Sequence, residues 1–321
     1  MQPGVLRAAR ASVQEGVATG EDSEHGPMRR RVFRVSRGNA GAYIGIRTED
    51  ATDGQGPPTG PNAHRPMSIH PFPAKPRRQD ATLRVASYNV HKCVGTDGQY
   101  RPDRVAAVIG EIEADIVALQ EVDRRFGRRI GRLDAEALGR ETGLVLVPVS
   151  DLPDGHGWHG NALLLRPDIA AKVRRLNLPG AEPRGALIAE LNLPEGPLRI
   201  VAAHLGLLRS SRARQADALL HAIAEGPDLP TLLLGDLNEW REDSAPLRTL
   251  SRFFGPARHA PRSFPARLPM LPLDRILGWP SAIVRRVQAH DSWLARRASD
   301  HLPLTAEVDL PARAAAKPAA A

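Results

Sequence analysis

One cysteine, Cys93, stands in 321 residues, a scarcity that excludes an intrachain disulfide framework and a cysteine-rich zinc site. A reducing cytoplasm is the expected home. No run of about 18 uncharged apolar residues occurs, so neither a transmembrane helix nor stable membrane insertion is expected. Arginines and acids interrupt the N-terminus, which lacks the apolar stretch of about 7–15 residues that a secretory signal needs. Tyrosine is confined to Tyr43, Tyr88 and Tyr100. A broad basic face is missing too, despite a net charge of +8 and a pI of 10.4. Residues 1–80 carry 12 Lys/Arg against 8 Asp/Glu and residues 311–321 carry 2 against none, which leaves 30 against 28 in residues 81–310. The excess sits on the tails, so the charge argues only weakly for a nucleic-acid partner.

What is present is an ordinary globular composition, 42% hydrophobic and 25% charged, enough for a sizeable core. Residues 1–80 lack sustained apolar periodicity and are broken by Gly-Pro, Pro-Pro-Thr-Gly and Pro-Lys-Pro-Arg-Arg. They read as a mostly disordered extension, with at most a short ordered piece around Val32–Ile46. Met67 offers an alternative translation start, which the intact mass of the native protein would decide. The Ala/Pro stretch 311–321 reads as an unstructured tail. Between them, residues 81–310 form one continuous pattern of short apolar runs, turns and a few amphipathic helices. Strands are expected at Leu83–Asn89, Ile116–Leu119, Leu144–Val149, Asn161–Leu165, Val173–Leu178, Ala186–Leu193, Leu198–His204 and Thr231–Leu234, and near Arg275–Leu277, Ile283–Ala289 and Leu304–Val308. Helices are expected at Pro102–Glu113, Leu133–Thr142, Ser211–Ala224 with a serine cap, and Ser244–Phe253. Many strands with interspersed helices suggest two face-to-face sheets, each covered by helices.

The apolar strands end in a selective set of polar residues: Asn89, Glu121, His204, Asp236 with Asn238, Asp274, and Asp300 with His301. Ordinary turn formers would be a mixture rich in Gly, Pro and Ser. Carboxylates and amides instead suit a hard cation that prefers oxygen ligands.

The segments Ser87-Tyr88-Asn89-Val90, Gln120-Glu121-Val122, Gly160-Asn161-Ala162-Leu163-Leu164, Ala203-His204-Leu205, Gly235-Asp236-Leu237-Asn238, Leu273-Asp274-Arg275-Ile276 and Ser299-Asp300-His301 resemble, in order, the motif series of the endonuclease/exonuclease/phosphatase superfamily. The resemblance spans roughly residues 82–310, about seven tenths of the chain. It implies a DNase I-like four-layer α-β-β-α sandwich with two packed, mainly antiparallel sheets and a Mg²⁺ site, Mn²⁺ able to substitute, where the sheets open. It also implies roles: Glu121 as the main metal ligand, helped by Asn89 and Asp300, and water as nucleophile, activated by His301 or Asp236. Asp274 would orient His301, Asn238 would bind a phosphoryl oxygen, and His204 would donate where negative charge accumulates. Asp236 and Asn238, two apart on an extended segment, could face one site. Asn161 matches a family position and could orient His204 or phosphate, or form a turn. Arg184, in a Pro-Arg-Gly-Ala segment also found in bacterial members, could pair with an anionic substrate.

Arg124, Arg125, Arg128, Arg129 and Arg132 read as a solvated loop or as a clamp for a polyanion, and Arg209, Arg212 and Arg214 at exposed positions invite the same two readings. Cys93 reads as a small packed residue. The loop of His156, Trp158 and His159 could line the substrate entrance. Members of the abasic-site endonuclease branch carry Trp-x-x-Asp-Tyr where this chain has Leu271-Pro272-Leu273-Asp274-Arg275, and they use an active-site tyrosine for which only Tyr100 is suitably placed. The match is nearer to bacterial phosphodiesterase-like members. The leading expectation is therefore a Mg²⁺-dependent hydrolase of phosphate esters, a phosphodiesterase first, acting on a small molecule or lipid headgroup. An endonuclease or exonuclease acting on DNA or RNA is the alternative, and a catalytically inactive phosphate-binding module is a third class.

Overall fold

The computed structural model describes residues 31–38, 41–47, 82–125, 127–256 and 260–310. The expected disorder of the rest of the N-terminal extension, the Met67 start and the 311–321 tail lie outside the described residues. One sheet runs β12 (Val284–Ala289), β13 (Leu304–Val308), β3 (Leu83–Asn89), β4 (Ile116–Gln120), β6 (Ala162–Leu165), β5 (Val145–Leu146). The other runs β11 (Asp274–Trp279), β10 (Thr231–Asp236), β9 (Gly196–His204), β8 (Arg184–Leu193), β7 (Ala170–Leu178), and is extended at β7 by the hairpin β1 (Arg31–Gly38) and β2 (Gly41–Arg47). Pairing is antiparallel except for β3 with β4 and β9 with β10.

Alternation places Val85, Ile116, Ala118, Leu163, Leu187, Ile200, Leu232 and Leu304 in the core between the sheets. Their strand neighbours face outward under helices. Ala86, Tyr88, Val117, Leu119 and Leu164 pack with α1 (Pro102–Ile112) and α2 (Ala135–Thr142). Ile188, Val201, Ala203 and Leu233 pack with α3 (Arg209–Ala224) and α4 (Ala245–Phe254). Burial on both faces explains why these strands read as near-continuous apolar runs rather than strict alternations. The result is the expected four-layer α-β-β-α sandwich. A short helix, α5 (Ala295–Ala298), precedes Ser299.

Local differences have local causes. The strand expected at Leu144–Val149 shrinks to Val145–Leu146, at the edge of its sheet, where only β6 offers a ladder. α3 starts at Arg209 after Leu208 with no side-chain cap, so Ser211 lies inside the helix instead of capping it. α2 begins later than Leu133 because the Asp134 carboxylate caps it, accepting from the Ala137 N–H at 2.9 Å. Arg212 is buried and ion-paired with buried Glu239 at 3.1 Å, against its expected exposure.

Candidate active site

Register brings the polar strand ends to one edge of the sandwich. In the second sheet Asp236 lies opposite His204 on one side and Asp274 on the other, and β8 runs antiparallel to β9, so Arg184 starts at the same edge. In the first sheet Asn89 lies opposite Gln120, just before Glu121, while β6 and β13 begin beside that edge, just after Asn161 and His301 respectively. Gly235 explains part of the Gly-Asp-x-Asn motif. A Cβ there would sit 1.8 Å from the Ala203 carbonyl oxygen, so only glycine lets β9 and β10 close beside Asp236.

The two rows of side chains meet across the gap. Asn89 Nδ2 donates to Asp236 Oδ2 at 3.0 Å. His204 Nε2 and His301 Nε2 stand 3.4 and 3.7 Å from the same oxygen. His301 Nδ1 is 2.8 Å from Asp274 Oδ2, which also accepts from Ser263 Oγ at 2.5 Å. All five main members of this cluster are buried. Burial alone would lower the His301 pKa, but the charge and hydrogen bond of Asp274 prevail and push it up to about 10. Burial and then Asp274 push Asp236 up to about 7, against His301 and the hydrogen bonds from Asn238 and Asn89. Burial, helped by Arg184, drives His204 well below its ordinary value, so its ring is neutral near neutral pH.

Glu121 adopts a left-handed backbone, φ 58°, that turns it from the end of β4 into a neighbouring pocket. Burial would raise its carboxyl, but His204, Lys92 and His91 outweigh burial and hold it at about 2. With His204 neutral, Lys92 is a cation that still acts near neutral pH. Its ammonium is ion-paired with Glu121 Oε2, and its backbone N–H donates to the Glu121 carbonyl at 3.0 Å. His91, Lys92 and Cys93 all have positive φ, 45°, 58° and 59°, in a region that disfavours side chains bearing a Cβ. Three consecutive such residues deliver Lys92 to Glu121. Sequence reasoning missed Lys92, Ser263 and the pairing of Arg125 with Glu182, because each depends on a contact between segments distant in the chain. The positive-φ turn leaves no glycine to mark it.

Asp300 lies at the other side of His91, its Oδ1 3.7 Å from His91 Nδ1 and 3.4 Å from Ser299 Oγ. Asn238 is not on an extended segment: its φ is 51°, its N–H donates to Asp236 Oδ1, and its amide donates to the Leu205 carbonyl, both at 2.9 Å. Asn161 spends its amide on the Gly185 and Trp158 carbonyls, at 2.9 and 3.2 Å, so it braces the start of β8 beside Arg184. The arginine run divides. Arg124, Arg125 and Arg129 line the Glu121 pocket with Arg184, His159 and His204. Arg128 is exposed beside Asp154, and Arg132 lies over the Tyr100 ring, whose hydroxyl donates to the Arg132 carbonyl at 2.8 Å. Tyr100 is thus turned to the loop of the arginine run. His156 is a structural member of its loop, accepting from the Leu133 N–H, and Cys93 is fully buried.

The model of the Endonuclease/Exonuclease/phosphatase family matches residues 86–301. No curated protein matches the chain in sequence. Among solved structures, an endonuclease/exonuclease/phosphatase from Bacteroides vulgatus is 19% identical, covers 72% of this chain and 99% of its own, and has a TM-score of 0.57. D. rerio TDP2, complexed with single strand DNA product, is 18% identical over 72% of this chain and 100% of its own, TM-score 0.51. The human Nocturnin catalytic domain with bound sulfate anion is 20% identical over 71% of this chain and 94% of its own, TM-score 0.51. No helix among the described residues is long and apolar enough to cross a membrane.

Proposed function

Because the chain belongs to the endonuclease/exonuclease/phosphatase family, whose members are phosphoesterase and nuclease hydrolases, we propose that it hydrolyses phosphate esters with Mg²⁺, phosphodiesters first, by in-line attack of water. The observation that carries this reading is the convergence of Asn89, His204 and His301 nitrogens on one carboxylate oxygen of Asp236, beside a pocket that contains ionised Glu121.

Glu121, Asn89 and Asp300 would hold the cation. Their donors are all oxygen, Glu121 stays charged, and among the described residues Asn89 Oδ1 takes only the His91 N–H at 3.1 Å, a set that fits a hard cation. Asp236, Asp274 and His301 also bring donor atoms within 4.8 Å of one another. Asp274 Oδ2 is already occupied by Ser263 and His301, so we assign that group to proton handling. When bound, Mg²⁺ supplies charge neutralisation at the phosphoryl group. Asp274 keeps His301 cationic, which leaves Asp236 to accept the proton of the attacking water. His204 and the Asn238 amide donate to phosphoryl oxygens as charge builds there. Arg184 binds the anionic substrate.

A panel of phosphodiester, phosphomonoester and nucleic-acid substrates with Mg²⁺ or Mn²⁺ tests the reading against His301→Ala. The expected loss in the variant is about 10²–10⁴-fold. Equal activity in parent and variant, or no turnover of any substrate, would end it. The nuclease reading gains from exposed Arg124 at the pocket and from the DNA product bound by the D. rerio structure. It requires binding that weakens steeply with salt.

A further inference from the structure

The Glu121 pocket holds more positive charge than one scissile ester can balance. Among the described residues its walls bring Lys92, Arg124, Arg125, Arg129 and Arg184 together against only Glu121 and Asp123. Asp123 is already committed, its two oxygens accepting the His156 and Gly157 N–H groups at 2.8 and 3.0 Å. Glu182, behind the wall, pairs with both Arg125 and Arg184, which still leaves a net excess of cations before any divalent ion is added. Arg184 is only 6% exposed, and its Nε is buried without a hydrogen-bond partner among the described residues. Its guanidinium is held by Glu182 at 3.2 Å, while Asn161 pins the adjoining Gly185 carbonyl at 2.9 Å. A buried donor left unpaired is costly, and a planar guanidinium suits the tetrahedral oxygens of a phosphate.

We propose that this pocket is a subsite for a second phosphate group, so that the preferred substrate is a compact molecule bearing a phosphomonoester beside the ester to be cleaved. The inference rests on the phosphoesterase reading and names its substrate class. A dianionic group on the arginine side satisfies the Arg184 Nε–H and offsets the cation excess, whereas the monoanionic diester occupies the Glu121 and His204 side. The cations converge on one recess that is open to solvent at its mouth. A strand of nucleic acid would instead call for a stripe of charge that follows its backbone.

Calorimetry in the presence of chelator, with 2,3-bisphosphoglycerate and 3-phosphoglycerate as probes, tests the subsite without requiring turnover. The bisphosphate is expected to bind roughly tenfold or more tightly than the monophosphate, and Arg184→Met is expected to bring the ratio close to one. If Arg184→Met does not fold, Arg124→Ser combined with Arg129→Ser at the pocket mouth carries the same test. A ratio near one in the parent protein, or an unchanged ratio in the folded variants, overturns the subsite. So does an Arg184 dependence confined to single-stranded oligonucleotides. Loss of the ratio in the variant while no ester is hydrolysed leaves the subsite standing and removes the phosphoesterase reading.

Discussion

At the scale of single residues, the site is a set of charges fixed by their neighbours. His301 is raised from an ordinary 6.5 to about 10 chiefly because Asp274 outweighs its burial. A group with a raised folded-state pKa contributes stability that is complete below its unfolded value and is lost as pH rises through the folded value. The metal-free protein should therefore lose stability towards denaturant between about pH 7 and pH 10, and Asp274→Asn should flatten that decline. Asp236, raised to about 7, contributes with the same sign mostly below this window, and buried Cys93, pushed up to about 12, contributes with the same sign at its upper end, so the part of the decline that Asp274→Asn removes between about pH 8 and pH 9 is the histidine's. A slope unchanged by Asp274→Asn would refute the pairing as the source of the shift. Lys92 supplies a second prediction. Its ammonium occupies the carboxylate that the proposed cation needs, so Lys92→Met should bind Mn²⁺ about two- to fivefold more tightly by calorimetry. Weaker binding would instead make Lys92 a helper in forming the metal site.

At the scale of elements, glycine and a buried ion pair hold the loop that carries Asp236. Gly235→Ala would press a methyl into the Ala203 carbonyl between β9 and β10, a backbone collision that no rotamer relieves. The expected result is a destabilisation of about 3 kcal/mol or more, or failure to fold; a near-normal denaturation midpoint would show that the two strands can separate locally. Downstream, the loop continues through Asn238, tied to the Leu205 carbonyl, to Glu239, which is anchored by Arg212 of α3 at 3.1 Å. Removing one member of a buried pair leaves the other charge uncompensated. The helix face and the loop that follows Asp236 are thus one mechanical unit.

At the scale of the molecule, the site exists only because two sheets face each other. Asn89, Glu121, Asn161, Asp300 and His301 come from the first sheet and its connections, and Arg184, His204, Asp236, Asn238 and Asp274 from the second. The bonds Asn89–Asp236, His301–Asp274 and Asn161–Gly185 cross between them. Leu163, fully buried in the layer between the sheets, supports that approach from within. Leu163→Ala should cost about 2–5 kcal/mol of stability, read from the denaturant midpoint. A loss well under 1 kcal/mol would mean that the inter-sheet layer closes over the gap without strain.

The sequence by itself determined the strands, the covering helices and the ordered row of polar residues at strand ends. Period and punctuation are local, and a run such as Thr231–Leu234 followed by Gly-Asp-x-Asn carries its own signal. It also identified the partnership of His301 with Asp274, through a resemblance rather than through spacing. Only the tertiary structure decided that Arg212 is buried, that Lys92 reaches Glu121, that Ser263 supports Asp274, and that part of the arginine run turns inward while Arg128 stays in water. Each of these is a contact between segments whose separation in the chain says nothing of their separation in space. Charge on a long side chain has no periodicity to betray its direction, so its partner is chosen by the closing of the sheets.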